Sequence, residues 1–293
     1  MSKSKMKHNN IVKKFISKFL ILVTILLVST KWTIAEEVDD QREFDYTKED
    51  EHEFDYTKGS KKSPPYWGEL KKEWAACKNG KMQSPIDMTN DNLKIVPNLG
   101  RIEKNYKPKN AILKNRGHDI QVKWLGDAGS IKINGTKFFL HQAHWHSPSE
   151  HTIDGSRYEV ELHMVHESPI VNGKSETAVL GVLYKFGPSD PILTKLSKHI
   201  KAMVNNISET NIGDINPSEF VCEGDEYYQY VGSLTVPPCT EGVIWTINKK
   251  VGTVSEDQVS LLRKAVQDHA TKNARPLQPR NGRDILYYDP KEK

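Results

Sequence analysis

The sequence "QAHWHSPSEHTIDGSRYEVELHMVH", Gln142 to His166, carries the most informative pattern of the chain. On a β-strand, side chains two residues apart lie on the same face of the sheet, so His144 and His146 are expected to point in the same direction. The second half of the stretch also alternates, which places His163 on one strand face and His166 on the other. The pattern predicts two strands that can bring three histidines together, with His166 in a structural role.

Three neutral imidazoles without a thiolate leave one position of a tetrahedral metal ion open, as in catalytic zinc sites. The residues alone also allow these to be ordinary core or surface histidines, the interpretation we keep for His141. A third alternative is a cupin, because His144-x-His146-x-x-x-Glu150 resembles the first metal motif of that family, whose ions are iron or manganese. Against a cupin, Gly155 follows too early and no second cupin motif occurs.

The rest of the chain is patterned mainly as β-strands. Residues 118–124, 129–135 and 158–166 alternate between apolar and polar, and residues 178–186 form an apolar run typical of a strand buried on both faces. A helix is predicted to begin at the sequence Ser-Asp-Pro of residues 189–191, where a capping residue precedes a proline.

A second helix is predicted to begin at Ser255, where Gln258 completes a capping box. Together, the patterns predict an α+β fold that is predominantly β, formed by a single domain with peripheral helices.

The N-terminal segment, residues 1–35, is interpreted as a signal peptide. Its lysines precede an apolar run at residues 19–28, and small residues stand at the sequence Thr-Ile-Ala, residues 33–35. The run is too short for an ordinary bilayer span, so no stable membrane span is expected after cleavage, although a signal anchor is the alternative. Removing seven lysines and no acids changes the net charge from +4 to −3. The basic charge of the full chain is therefore mostly a property of the signal peptide, and no nucleic-acid partner is predicted.

Residues 36–53 are rich in Asp and Glu and are interpreted as a flexible acidic leader. The hexapeptide EFDYTK occurs at residues 43–48 and again at residues 53–58, and only the second copy is expected to join the domain. The domain is predicted to span residues 54–288, followed by a charged tail, 289–293. Of the three cysteines, an exported protein can pair two.

Two sequons, at Asn134 and Asn206, also fit the secretory route. The predicted destination is extracellular, in the apoplast, and a plastid reached through the secretory route is the alternative. Nothing in the sequence indicates an oligomeric state.

Four ordered motifs resemble the α-class carbonic anhydrases, specifically their exported plant-type branch. The first is "YWGELKKEWAACKNGKMQSPIDM" at residues 66–88, and the second is the opening stretch. The third is "GSLTVPPCTEGVIW" at residues 232–245, and the fourth is "RPLQPRNGR" at residues 275–283. The resemblance covers residues 54–288 and implies a twisted, mostly antiparallel central sheet of ten strands.

The resemblance implies reversible hydration of carbon dioxide to bicarbonate and a proton at a zinc ion. The zinc ligands would be His144, His146 and His163, which agrees with the argument from strand faces. Gln142 and Glu161 match the residues that orient the ligands, and Thr235 with Glu150 matches the pair that orients the nucleophile. The implied apolar wall of the substrate pocket consists of Val165, Val179, Leu234, Val236, Val243 and Trp245.

His118 matches the position of a proton shuttle, and Tyr56 and Gln121 match positions on its solvent path. Cys77 and Cys239 match the disulfide of exported members. The rival function on the same fold is a non-catalytic storage or binding protein.

Two positions depart from the family pattern. Val236 replaces a common threonine, which removes a possible hydrogen bond to bicarbonate, typically worth about 0.5–1.5 kcal/mol. Arg116 stands where a neutral residue is common, and its charge is expected to lower the pKa of His118.

Overall fold

The computed structural model describes residues 53–89, 93–204, 206–222, 224–266 and 272–292. The predicted signal peptide, residues 1–35, and the acidic leader, residues 36–53 except Glu53, lie outside the described residues. Their boundaries therefore stay predictions.

Sixteen strands occur in the described part of the chain. They are β1 (Asp87–Met88), β2 (Leu93–Ile95), β3 (Glu103–Tyr106), β4 (Lys109–Asn115), β5 (Ile120–Trp124), β6 (Gly129–Ile133), β7 (Thr136–His146), β8 (Thr152–Ile153), β9 (Ser156–Arg157), β10 (Val160–Glu167), β11 (Thr177–Phe186), β12 (Glu209–Ile215), β13 (Tyr227–Ser233), β14 (Glu241–Asn248), β15 (Gly252–Val254) and β16 (Ile285–Tyr288).

Most strands belong to one large sheet. Its central path contains ten strands in the order β12-β4-β5-β7-β10-β11-β14-β13-β16-β2, and β3, β6 and β15 pair at its sides. The pairs β11–β14, β11–β15 and β16–β2 are parallel, and the others are antiparallel. A small separate sheet joins β1, β8 and β9. The predicted fold class is confirmed, and the side strands are an addition to it.

Within the described residues, four α-helices lie around the sheet: α1 (Trp67–Leu70), α2 (Ala76–Asn79), α3 (Pro191–Ala202) and α4 (Glu256–Ala265). Short 3-10 turns occur at Pro64–Tyr66, Lys72–Trp74, Pro97–Leu99 and Pro217–Phe220. Both predicted helix starts are confirmed. The Asp190 carboxylate accepts a hydrogen bond from the amide of Leu193, and Ser255 and Gln258 form the reciprocal capping box. None of the helices in the described residues is long and apolar enough to span a bilayer.

The two faces of the central strands have different neighbours. On β7, Ala143 and Trp145 belong to the main hydrophobic core, which also contains the buried faces of α3 and α4. His144 and His146 alternate with them and therefore lie on the other face. Helices α3 and α4 thus cover one side of the sheet, and the histidines lie on the opposite side.

The alternation on β7 changes at His141. The pairing with β10 shifts between Val165 and His166, so that Val165 faces Gln142 whereas His166 faces Leu140. A bulge inserts one extra residue into a strand and reverses the side on which the following residues lie. Leu140 accordingly lies in the same core as Ala143, and His141 is left outside the histidine cluster.

A smaller cluster of aromatic side chains closes the N-terminal end of the domain. Phe54 and Tyr56 pack with Trp67, Trp74 and the two cysteines Cys77 and Cys239. The ring of Phe54 makes edge contacts with Trp67 and Trp74, with centroids 5.2 and 6.2 Å apart. Phe54 and Tyr56, which belong to the second copy of the EFDYTK repeat, thereby pack against the domain.

Candidate metal centre

Strands β7 and β10 bring His144, His146 and His163 together. His144 lies directly opposite His163 in the antiparallel register, and His146 lies opposite Glu161. The three side chains are buried, and each offers one nitrogen within 4.8 Å of the others. The facing argument made from the sequence correctly predicted this cluster.

The other nitrogen of each ring donates a hydrogen bond away from the centre. Nδ1 of His144 donates to Oε1 of Gln142 over 2.9 Å, and Nε2 of His163 donates to Oε1 of Glu161 over 2.8 Å. Nδ1 of His146 donates to the backbone carbonyl of Asn273 over 2.7 Å. These bonds fix the orientation and the tautomer of each ring. They leave Nε2 of His144, Nε2 of His146 and Nδ1 of His163 available to one ion.

The cluster has the chemistry of a zinc site. Nε2 of His146 is buried and has no hydrogen-bond partner among the described residues, a costly state that a bound cation would relieve. Burial lowers the pKa of His144 and of His163, which keeps these rings neutral and able to donate a lone pair. Three imidazole nitrogens without a carboxylate or a thiolate fit Zn²⁺.

Glu161 is the hub of the hydrogen bonds behind the histidines. Its Oε2 accepts from the backbone amides of Glu150 and His151 over 2.8 and 2.7 Å. Its Oε1 accepts from His163 and from Nδ1 of His151, the latter over 2.7 Å. Burial alone would raise the pKa of Glu161, but His151 and His163 outweigh it and hold the pKa well below its usual range.

His151 is a site residue that the sequence analysis missed. Its Nε2 lies 2.6 Å from the hydroxyl of Tyr230, which in turn lies 2.7 Å from the hydroxyl of Ser84. His151, Glu161 and His163 also lie close enough to share an ion, but their facing atoms are already joined by hydrogen bonds. The only signal in the sequence was its place in the histidine-rich stretch, because the period-two rule does not extend across a turn.

Glu150 is buried beside His146. Its Oε1 accepts from the backbone amide of Arg275 over 2.8 Å. Its Oε2 has no partner among the described residues and lies 3.6 Å from Nε2 of His146. Thr235 is buried, and no hydrogen bond joins it to Glu150 in the described structure. The pairing of these two residues therefore stays a prediction, for which Oε2 offers a free acceptor.

The guanidinium of Arg275 connects distant motifs. It donates to the carbonyl of Cys77 over 2.9 Å, to the carbonyl of Ser84 over 2.8 Å and to Oε1 of Gln83 over 2.9 Å. With its amide bound to Glu150, this residue joins the first and second motifs to the fourth.

The predicted apolar wall is continuous across three strands. Val165 on β10 lies opposite Val179 on β11, which lies beside Trp245 on β14. The ring of Trp245 lies 4.7 Å from that of His163. Val243 and Leu234 are also buried, whereas Val236 is half-buried and packs against the aromatic cluster around the disulfide.

His118, predicted as the proton shuttle, is covered by protein. The residue is only 8% exposed, and the centroid of its ring lies 4.8 Å from that of Phe54. Burial lowers its pKa to about 4, the charge of Asp119 opposes this, and Arg116 and His146 lower it further. The expected effect of Arg116 thus has the right sign, but burial is the larger cause.

The charge of Arg116 is held by a buried ion pair. Its Nε and NH2 groups donate to the two oxygens of Asp119 over 2.8 and 2.5 Å. On the predicted solvent path, Gln121 lies opposite His144 and is buried, and its Oε1 has no partner among the described residues. Tyr56, also assigned to that path, is buried in the aromatic cluster.

The predicted disulfide between Cys77 and Cys239 is confirmed. The carbonyl of Cys239 accepts a hydrogen bond from Nε2 of Gln83 over 3.0 Å, which ties the loop after β13 to the first motif. Cys222 is the free cysteine of the described residues. The sequon residues Asn134 and Asn206 are both exposed.

Comparisons with known proteins agree with the geometry. The family described as eukaryotic-type carbonic anhydrase matches residues 62–289. Carbonic anhydrase Nec1 of Nesocodon mauritianus is 47% identical over 93% of this chain and 95% of its own length. Alpha carbonic anhydrase 7 of Arabidopsis thaliana is 47% identical over 94% of this chain and 95% of its own length.

Among solved structures, dioscorin complexed with ascorbate is similar with a TM-score of 0.78 and 42% identity. The match covers 82% of this chain and 99% of the dioscorin chain.

Proposed function

Since the chain belongs to the eukaryotic-type carbonic anhydrase family, we propose that it is a zinc enzyme that hydrates carbon dioxide reversibly to bicarbonate and a proton. The observation that carries the proposal is the convergence of three imidazole nitrogens, with the outward nitrogen of each ring held by a hydrogen bond. The unsatisfied Nε2 of His146 supports a metal at their centre.

A zinc ion held by His144, His146 and His163 would supply the Lewis acidity that makes water a nucleophile near neutral pH, as is established for carbonic anhydrases. Gln142, Glu161 and the carbonyl of Asn273 hold the three rings in position and make them better ligands. We assign the hydroxyl of Thr235 as the donor of a hydrogen bond to Oε2 of Glu150. The oxygen of that hydroxyl is then free to accept a hydrogen bond from the nucleophile.

The apolar wall selects the substrate. Val165, Val179 and Trp245 offer a linear apolar molecule a surface on which water binds poorly. His118 is assigned the transfer of the proton from the site, a role that its burial restricts.

The test compares two histidine variants of the same protein. We expect purified wild type to contain one zinc ion per chain and to hydrate carbon dioxide, measured by mass spectrometry of the metal and by stopped-flow with a pH indicator. His163→Ala should lose both zinc and activity. His141→Ala is the matched control, because His141 lies on β7 outside the cluster, and it should retain both. A folded, zinc-loaded wild type without hydration would refute the catalytic proposal and leave the metal site intact.

A second candidate is a binding protein without this activity. It is favoured by the likeness to dioscorin, whose solved structure holds ascorbate. The same measurement separates the two candidates, since only the enzyme hydrates carbon dioxide. Titration of the wild type with ascorbate would test the binding function directly.

We also propose that the protein enters the secretory route and is extracellular, with residues 1–35 removed and the domain beginning near residue 54. The disulfide Cys77–Cys239 and the exposure of Asn134 and Asn206 support this proposal. N-terminal sequencing of protein from its native tissue would test the cleavage. A mass decrease after glycosidase treatment would test the two sequons.

A further inference from the structure

A chain of buried hydrogen bonds leads away from the metal centre through residues that the proposed reaction does not use. It begins at Glu161, whose Oε1 accepts from both His163 and His151. Nε2 of His151 lies 2.6 Å from the hydroxyl of Tyr230, which lies 2.7 Å from the hydroxyl of Ser84. His151, Tyr230 and Ser84 are each at most 2% exposed, so their polar atoms are shielded from bulk water.

The hydrogens along this chain have one consistent direction. A carboxylate only accepts hydrogen bonds, so Nδ1 of His151, 2.7 Å from Oε1 of Glu161, carries the hydrogen of the neutral ring. Nε2 of His151 is then an acceptor, and the hydroxyl of Tyr230 donates to it. The hydrogen of the Ser84 hydroxyl is in turn donated to the oxygen of Tyr230. Each side chain thus donates towards Glu161.

The far end of the chain is joined to the loop that carries Thr235. The amide of Ser84 donates to Oγ of Ser233 over 2.9 Å, and the amide of Ser233 donates to Oγ of Ser84 over 3.0 Å. Oγ of Ser233 donates to the carbonyl of Leu234, the residue before Thr235, over 2.8 Å. The chain therefore connects the carboxylate that holds His163 with the start of that loop.

Gly232 gives the hydroxyls of Ser84 and Tyr230 the space to meet. A Cβ at this position would clash with Oγ of Ser84 and would lie 2.7 Å from Cε2 of Tyr230. Ser84 is fully buried and is held through both its amide and its hydroxyl, so it could move aside only by breaking these bonds. The absence of a side chain at Gly232 is thus a requirement of this contact.

We propose that the hydroxyl of Tyr230 is a positioning group of the metal centre, which holds His151 and, through Glu161, orients His163 for the zinc ion. The inference rests on the metal site of the proposed function and does not depend on hydration of carbon dioxide. Because Tyr230 acts through two other residues, its effect should appear in zinc affinity and in the hydrogen bonding of His151. Partners that contact a metal ligand directly change metal affinity about 10–100-fold, so a more distant group should contribute less.

The first test compares two variants that each remove one buried hydroxyl from β13. Zinc affinity, measured by competition with a chelator, should decrease about three- to tenfold in Tyr230→Phe. Tyr228→Phe is the matched control, because Tyr228 is also 2% exposed, lies two residues earlier on the same strand face and has no part in the chain. It should bind zinc as the wild type does. A Tyr230→Phe variant with lower stability but unchanged zinc affinity would reduce the hydroxyl to a structural role and overturn the proposal.

A double-mutant cycle tests whether Ser84 acts through Tyr230. Ser84→Ala should also weaken zinc binding, and it tests the same chain if Tyr230→Phe does not fold. The double variant should bind zinc about as weakly as Tyr230→Phe alone, since Ser84 has no further route to the metal centre once the hydroxyl is gone. Losses that add independently would separate the two residues and overturn the chain.

Nitrogen-15 nuclear magnetic resonance of the metal-free chain tests the direction of the hydrogen bonds. In the wild type, Nε2 of His151 should resonate as an unprotonated nitrogen that accepts a hydrogen bond. Its signal should move downfield in Tyr230→Phe and stay in place in Tyr228→Phe. A protonated Nε2 in the wild type would reverse the chain and overturn the proposal. A wild type that binds zinc without hydrating carbon dioxide would refute the proposed enzyme and leave both tests of Tyr230 valid.

Discussion

Phe54 lies over the imidazole of His118, and we expect the substitution Phe54→Ala to raise the pKa of that imidazole and to improve proton transfer. Burial is the largest cause of the present value of about 4, opposed by Asp119 and reinforced by Arg116 and His146. Replacing the ring by a methyl group opens one side of His118 to water while leaving those three charged or titratable neighbours unchanged.

The expected effect is large enough to measure. A pKa of about 4 leaves about 0.1% of His118 protonated at pH 7, whereas the ordinary value of about 6.5 would leave about a quarter protonated. Regaining about one pKa unit would increase the protonated fraction about tenfold, equivalent to about 1.4 kcal/mol. Wild-type hydration should therefore depend strongly on external buffer as the proton acceptor, and Phe54→Ala should depend on it less.

Two assays follow the change. Nuclear magnetic resonance titration of the His118 ring proton, assigned with His118→Gln, gives the pKa in wild type and in the variant. Stopped-flow hydration at low and high buffer concentration gives the contribution of internal proton transfer. The substitution should also cost about 3–5 kcal/mol of stability, so both assays require a temperature at which the variant is folded.

Leu70→Ala is the matched control, because Leu70 packs against the same aromatic cluster. It should lower stability without changing the titration of His118. The reasoning is refuted if wild-type His118 titrates near 6.5, or if Phe54→Ala leaves its pKa unchanged.

Three further outcomes are expected. Glu161→Gln should weaken zinc binding about 10–100-fold, as measured by competition with a chelator, because the carboxylate holds His163 and His151. Cys77→Ser should lower the free energy of unfolding in urea by up to about 5 kcal/mol, since the disulfide links residues 162 positions apart. His166 is buried and its pKa is lowered to about 3, so the unfolded chain, with a pKa near 6.5, takes up the proton first as the pH falls. The free energy of unfolding should therefore be unaffected by His166 above about pH 6.5 and should decrease by about 1.4 kcal/mol per pH unit below it. The variant His166→Gln should lack this decrease, which is measured by urea denaturation at pH 7 and pH 5.

Each of these expectations can fail separately. Unchanged zinc affinity in Glu161→Gln would show that the ring of His163 is held by packing alone. Equal unfolding of Cys77→Ser and wild type under oxidising conditions would exclude a stabilising disulfide. An identical pH slope in His166→Gln and wild type would assign the acid sensitivity to other groups.

The histidine cluster was predictable because it depends on the shortest-range rule of a β-strand. His144 and His146 alternate with core residues, and His163 lies on a partner strand with the same period, so no tertiary information was required. The bulge at His141 was not predictable, because it arises from the pairing of β7 with β10. It does not disturb the cluster, since it lies before Gln142.

The orientation of His146 could not be read from the sequence. Its partner is the backbone carbonyl of Asn273, and every residue carries such a group. The burial of His118 was also hidden, because Phe54 reaches it from 64 positions earlier in the chain. Long-range packing decided both cases, whereas the residue types near each histidine carried no sign of it.

The contacts of Asn273 and Arg275 determine when the centre can be completed during synthesis. A chain grows from its N-terminus, and the three histidines emerge long before residue 273. Until then, His146 lacks the carbonyl that orients it and Glu150 lacks the amide of Arg275. A nascent chain that ends before these residues lacks both contacts, so the final segment of the polypeptide sets the time at which the histidine cluster reaches its complete hydrogen-bonded arrangement.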